Sequence, residues 1–136
     1  MENHIYCYFT IEGNYDFNLI TNLLSLQPAE QCIKNESDNC TGEIYLKNQW
    51  ISGNWIIDEK DEYSLQKKII EISKIDNILL ISKTHQIVFN LIVENRTKNR
   101  FLQLSNPKIY AELKKLNAQF NYYYYSLFSH ARKGLS

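Results

Sequence analysis

The segment 86–94 constrains this chain more than any other. Ile87, Phe89, Leu91 and Val93 fall on one side of an extended backbone, and Val88 and Ile92 on the other. A strand apolar on both sides predicts a central position in a sheet. A second strand is predicted over 4–11, where Ile5, Cys7, Phe9 and Ile11 alternate with Tyr6, Tyr8 and Thr10. That strand has one dry and one half-wet side.

Helical spacing separates these strands. Asp16 can cap a helix carrying Phe17, Ile20, Leu23 and Leu24 on one stripe, with its end expected near Pro28. Asp61 can cap a second helix with Leu65, Ile69, Ile72 and Ile75 or Ile78 facing inward. Asn106-Pro107 predicts a third helix start, with Ile109, Tyr110, Leu113 and Leu116 as the buried stripe. Short strands are expected at 43–50 and 54–58, a hairpin running from 86–94 into 101–104, and an aromatic strand at 118–128. Polar residues 29–43 read as a mobile loop, and 129–136 as a frayed tail. The predicted order is β-α-β-β-α-β-β-α-β. It describes an α+β fold in which a mostly antiparallel sheet of about six strands packs against three helices. At 136 residues, 1–136 is expected to form a single domain.

The opening Ile5-Tyr-Cys-Tyr-Phe-Thr-Ile-Glu-Gly, followed by Asp16-Phe-Asn-Leu-Ile-Thr-Asn-Leu-Leu and Pro28, resembles the bacterial domain-of-unknown-function family numbered 4279. So do the Trp50/Trp55 segment leading into a charged helix, and Asn106–Ala118 leading into an aromatic strand. The resemblance spans nearly the whole chain and rests on framework residues. The usual acid-bearing final strand is here replaced by Asn121 and four tyrosines. The resemblance implies a small soluble bacterial protein, and the family has no activity to carry over. Small bacterial α+β proteins of this type often act as immunity partners of secreted toxins.

Little in the chain points to catalysis. His4, His85 and His130 are far apart, and Cys7, Cys32 and Cys40 form no Cys-x-x-Cys pair. Cys32 and Cys40 bracket Asp38 without the close ligand pairs a metal needs. The four glycines make neither a dinucleotide fingerprint nor a phosphate loop. His85 beside Thr84 could serve as a base but reads as a turn residue. No enzyme, metal or cofactor is expected. With no signal peptide and no membrane-length apolar run, a cytoplasmic protein is expected.

Charge is distributed unevenly. Residues 1–66 hold eleven Asp/Glu against three Lys, and residues 67–136 hold four against twelve Lys/Arg, although the whole chain is neutral. Two functional classes follow. In the first, Glu36, Asp38, Glu43, Asp58, Glu59, Asp61 and Glu62 form an acidic face with Trp50 and Trp55 as anchors. Such a face would bind a protein toxin, such as a nuclease, as an immunity protein. In the second, Arg96, Lys98, Arg100, Arg132 and Lys133 contact phosphates while the tyrosines of 122–125, Tyr123 and Tyr125 among them, stack on single-stranded nucleic acid. The near-neutral pI of about 6.8 disfavours nucleic acid. A small ligand-binding or scaffold domain is a third reading. Whether the chain is monomer or homodimer, and which sheet face is open, stay undecided by sequence.

Overall fold

A computed structural model describes residues 4–38, 40–58, 60, 61, 63–95 and 107–126. The predicted central strand is β5, Gln86–Asn95, which lies between β1, His4–Gly13, and β6, Gln119–Ser126. β1 pairs antiparallel with β5 over nine residue pairs, from His4↔Glu94 to Glu12↔Gln86. β6 runs parallel to β5, with Val88 opposite Gln119 and Asn95 opposite Ser126. A parallel neighbour needs a crossover, and α4, Pro107–Lys115, occupies that connection.

On its other edge β1 takes two short strands in succession, β3, Asn48–Ile51, and β4, Trp55–Ile56. Ser52 bridges the gap between them. Its N–H donates to the Phe9 carbonyl and its Oγ accepts from the Phe9 N–H, both at 3.0 Å. β2, Glu30–Cys32, pairs antiparallel with β3 and completes the order β2-β3-β1-β5-β6, with β4 beside β1.

Among the described residues, four helices cover one face. In α1, Phe17–Leu24, the Asp16 carboxylate caps the first turn by accepting from the Asn18 N–H at 2.9 Å. Its end comes at Ser25, which takes a left-handed conformation. α2, Ser64–Ser73, and α3, Ile78–Ser82, are separated by Asn77, also left-handed. The Asn77 Nδ2 donates to the Leu23 carbonyl at 2.7 Å, which ties this break to the end of α1. One apolar cluster joins the inward faces of β1 and β5 to Ile20, Leu65, Ile69, Ile81 and Leu113, all buried. Among the described residues, no helix is long and apolar enough to cross a membrane.

The α+β class and the mostly antiparallel six-stranded sheet stand as expected from the sequence, while several details change. Residues 29–43 are not a bare loop, because they hold β2 and an isolated Ser37↔Ile44 bridge. The strand expected from Glu43 begins only at Asn48. The second helix divides in two where Asn77 pairs with α1, so the described residues hold four helices rather than three. Tyr110 is exposed rather than buried, since only Ile109, Leu113 and Leu116 of its stripe point at the sheet. Asp61 accepts from the Tyr63 N–H in a turn just before α2, whose cap position is Tyr63 itself. The strand expected at 101–104, the cap Asn106 and the tail 129–136 lie outside the described residues.

Candidate functional site

The face of the sheet opposite the helices follows from strand parity and register. Tyr6 lies opposite Ile56 on one side and Ile92 on the other, and Ile92 lies opposite Tyr123. One step along, His4, Glu94 and Tyr125 form a row. In the other direction Tyr8, Asn90 and Asn121 form the next. Beyond them come Ile51, Thr10, Val88 and Gln119, then Gln49, Glu12 and Gln86.

Tyrosines converge at one end of this face. Tyr6 and Tyr8 are half-buried, while Tyr123 and Tyr125 are 41% and 53% exposed. Ile56 beside them is 60% exposed. The hydroxyls of Tyr6 and Tyr8 are both held above the ordinary phenol range. Burial is the main cause; for Tyr6 the Glu94 carboxylate and Tyr125 add to it, and for Tyr8 the rings of Tyr123, Tyr6 and Tyr125 and then Glu30. His4 stacks at a tilt on Tyr6, with ring centres 4.9 Å apart, and its Nδ1 lies 3.2 Å from Glu94 Oε2.

The charges of this face have one sign. Glu12, Glu30 and Glu94 occupy its strand positions, and no Lys or Arg does among the described residues. The described lysines stand elsewhere, on the helices or in the connections around them and β2–β3. Of the eleven acids in residues 1–66, only Glu12 and Glu30 stand on this face among the described residues, and Glu94 comes from the second half. Lysines of the helical layer pair with Asp61, Glu71 and Glu112, so the sequence asymmetry does not survive folding as one acidic and one basic face.

The predicted acidic set is not assembled into one surface. Asp38 and Glu43 line an open depression of about 450 Å³ together with Glu12, Tyr45, Lys47 and Gln49, at the Gly13 end of β1. Glu36 lies in the same loop, where its carbonyl accepts from the Tyr45 N–H at 3.0 Å. Asp58 and Asp61 follow β4 at the opposite end, where the Ile57 N–H reaches the Ile5 carbonyl. The eight steps from Ile5 to Gly13 separate the groups by about 26 Å. Local bonds also occupy these carboxylates. Asp38 is held below the usual carboxylate range by the N–H of Thr41, then by the Tyr45 hydroxyl and the Cys40 N–H. Asp61 is held low first by Lys67, 2.8 Å away, and then by the Tyr63 N–H. Glu59 and Glu62 lie outside the described residues.

The tryptophan anchors are also corrected. Trp50 is fully buried on the helix side, stacked on Phe9, with its Nε1–H donating to Thr21 Oγ1 at 3.0 Å. Trp55 stacks on Phe9 as well, half-buried and packed against the core. Neither belongs to the face opposite the helices, where Ile56, Tyr123 and Tyr125 are exposed while the central Thr10, Val88, Asn90 and Ile92 are buried. The hexad Asn121–Ser126 instead alternates, sending Tyr122 toward the core and Tyr123 and Tyr125 outward. For the nucleic-acid reading, Tyr123 and Tyr125 are exposed but stand beside Glu94, while Arg96, Lys98, Arg100, Arg132 and Lys133 lie outside the described residues.

Sequence reasoning missed Glu94, Ile56 and the Asn90–Asn121 pair. The signal for two of them was present: Asn90 and Glu94 share parity with Val88 and Ile92, so the second side of β5 was only half apolar.

Cys32 shares the parity of this face, opposite Gln49 on β3, and is buried there, whereas Cys7 lies on the helix side of β1. Cys7 is buried, and desolvation raises its thiol to about 12. A thiol in that state is protonated and a poor nucleophile. Cys32 is buried, and Cys40 is exposed in the loop. Among the described residues no three His, Cys, Asp or Glu side chains gather where a metal ion could sit. Comparison with family models, with curated proteins and with solved structures finds no match for this chain.

Proposed function

We propose that this protein is a non-enzymatic binding module that docks a cationic protein on the open face of its sheet, in the role an immunity protein plays toward a toxin such as a nuclease. One observation carries the reading. Four tyrosines, an exposed isoleucine and three glutamates occupy a face from whose described strand positions Lys and Arg are absent.

Tyrosine suits this task because its ring contributes apolar contact while its hydroxyl tolerates water, and it is enriched among residues that dominate binding energy. The sheet fixes the backbone that carries the rings, and a tyrosine side chain has only two rotatable angles to order on docking. Carboxylates around such a patch draw in a positively charged partner and repel an acidic one. They also repel phosphate, which favours a protein over a nucleic acid as the partner.

Growth rescue tests the reading. The chain is co-expressed with the toxic product of a neighbouring gene, as wild type and as a Tyr123→Ala/Tyr125→Ala/Glu94→Lys variant. Rescue by wild type and its loss in the folded variant support the proposal. Equal rescue by both removes the open face from the mechanism. Binding of wild type to a single-stranded oligonucleotide at low salt, lost as salt is added, would replace it with the nucleic-acid reading.

A further inference from the structure

We propose that the groove between the ends of α1 and α2 receives the guanidinium of an arginine side chain presented by a partner polypeptide. Trp55 lies opposite Cys7 in the pairing of β4 with β1, so its indole rises on the helix side, where it stacks on Phe9 with ring centres 5.8 Å apart. The half-buried ring lines an open groove of about 430 Å³. Leu24 and Leu26 from the end of α1 and Ile75 from the turn after α2 give it apolar walls, and Glu71 and Asp76 add carboxylates. The gap exists because both helices stop here. α1 ends at Ser25 in a left-handed conformation, and α2 ends at Ser73. The bond from Asn77 Nδ2 to the Leu23 carbonyl ties the two sides together.

This lining suits a flat cation on an aliphatic stem. The face of a tryptophan ring carries partial negative charge, and guanidinium is the side-chain cation best shaped to stack on it. Two helix C-termini add partial negative charge at the same place, and neither α1 nor α2 has a basic residue in its last turn. Glu71 is shared with Lys68, 3.4 Å away, whereas Asp76 has no ion-pair partner among the described residues. Asp76 is therefore free to meet an incoming charge. Lys74 also borders the groove and opposes a cation there. The apolar walls match the methylenes of an arginine, which pack on such surfaces while the charged head stays at the polar end. A small molecule binds best when enclosed on most sides, so a groove open to solvent fits a side chain whose backbone stays outside. The inference stands apart from the open-face reading, because Trp55 faces the helices.

Titration of the full chain with Nα-acetyl-arginine amide, followed by amide and indole NMR resonances, tests it. The Trp55 indole and the amides of Ser25, Leu26 and Asp76 should shift together, while the Trp50 indole, buried and bonded to Thr21, stays in place. The citrulline counterpart, neutral and of nearly the same shape, should bind about fivefold more weakly. Asp76 and Lys74 are both exposed, so their variants keep the fold. Asp76→Asn should weaken binding about threefold, and Lys74→Gln should tighten it about twofold. A Trp55 indole that does not move at the highest soluble concentration of arginine amide overturns the proposal. Equal binding of the citrulline compound, or equal binding by Asp76→Asn and wild type, overturns it too, as does weaker binding by Lys74→Gln. Tighter binding of butylguanidinium than of the arginine amide would assign the groove to a free alkylguanidine and overturn the polypeptide source.

Discussion

Asn121 on β6 donates from its Nδ2 to Oδ1 of Asn90 on β5, 3.3 Å away, and the two residues are register partners. Asn90 is buried among the strands, so this bond satisfies an acceptor that water barely reaches. It also fixes which tyrosines face outward. A slip of β6 by one residue would turn Tyr123 and Tyr125 toward the helices and bring Tyr122 out of its contact with the core. Replacing Asn121 by Ala should therefore cost about 1–3 kcal/mol, the penalty of a stranded buried polar group. Asn90→Val together with Asn121→Val should recover most of that loss, because neither partner is then left unpaired. Urea denaturation of Asn121→Ala and of the double variant checks this, and a double variant less stable than Asn121→Ala would contradict it.

Trp50 is a structural anchor rather than a contact for partners. Its substitution by Ala should cost about 3–5 kcal/mol, through the cavity left against Phe9 and the lost bond to Thr21. Thr21→Val should cost about 1 kcal/mol and leave partner binding unchanged. Thermal unfolding alongside a binding assay separates the two properties. A Thr21→Val variant that stays stable and loses binding would restore a docking role to this region.

The loop around Asp38 should respond to acid. The folded-state pKa of Asp38 is depressed, so its contribution is present above the ordinary aspartate value, about 3.9, and fades as pH falls through the lower folded value. Amide resonances of Cys40 and Thr41, which donate to that carboxylate at 2.7 and 2.9 Å, should shift in this acid window. In Asp38→Asn the same amides should show no such titration. Resonances that titrate identically in both proteins would assign the effect to another group.

Thiol reactivity should be ordered by burial. Cys40 is exposed and should react with an aromatic disulfide reagent in the native state, whereas Cys7, buried and shifted to about 12, should react only on unfolding. Counting released chromophore before and after denaturant tests this. Prompt native reaction of Cys7 would show that the layer above it opens readily.

Parity and periodicity made the larger features legible in the sequence. The two-sided apolar run at 87–93 placed β5 at the centre, and the alternation Ile5, Cys7, Phe9, Ile11 placed the dry side of β1 correctly. Long-range pairing escaped the same reading. β2 is only three residues and exists because Glu30–Cys32 meets β3, a partner that no local pattern names. The break between α2 and α3 depends on Asn77 reaching Leu23, more than fifty positions away in sequence. The acids of the first half looked like one surface because they are close in sequence, yet the long β1 holds its two groups at opposite ends. Trp50 looked like an anchor for the same reason that it is core: a large ring serves either role, and only the side of the strand it occupies decides.

Growth of cells co-expressing the toxic product of a neighbouring gene with either wild type or the Tyr123→Ala/Tyr125→Ala/Glu94→Lys variant is the most direct measurement of what this face does. The expected result is survival with wild type and death with the variant, both chains folded and present at equal abundance. Survival with both would mean that the tyrosine and glutamate side chains of the open face take no part in protection.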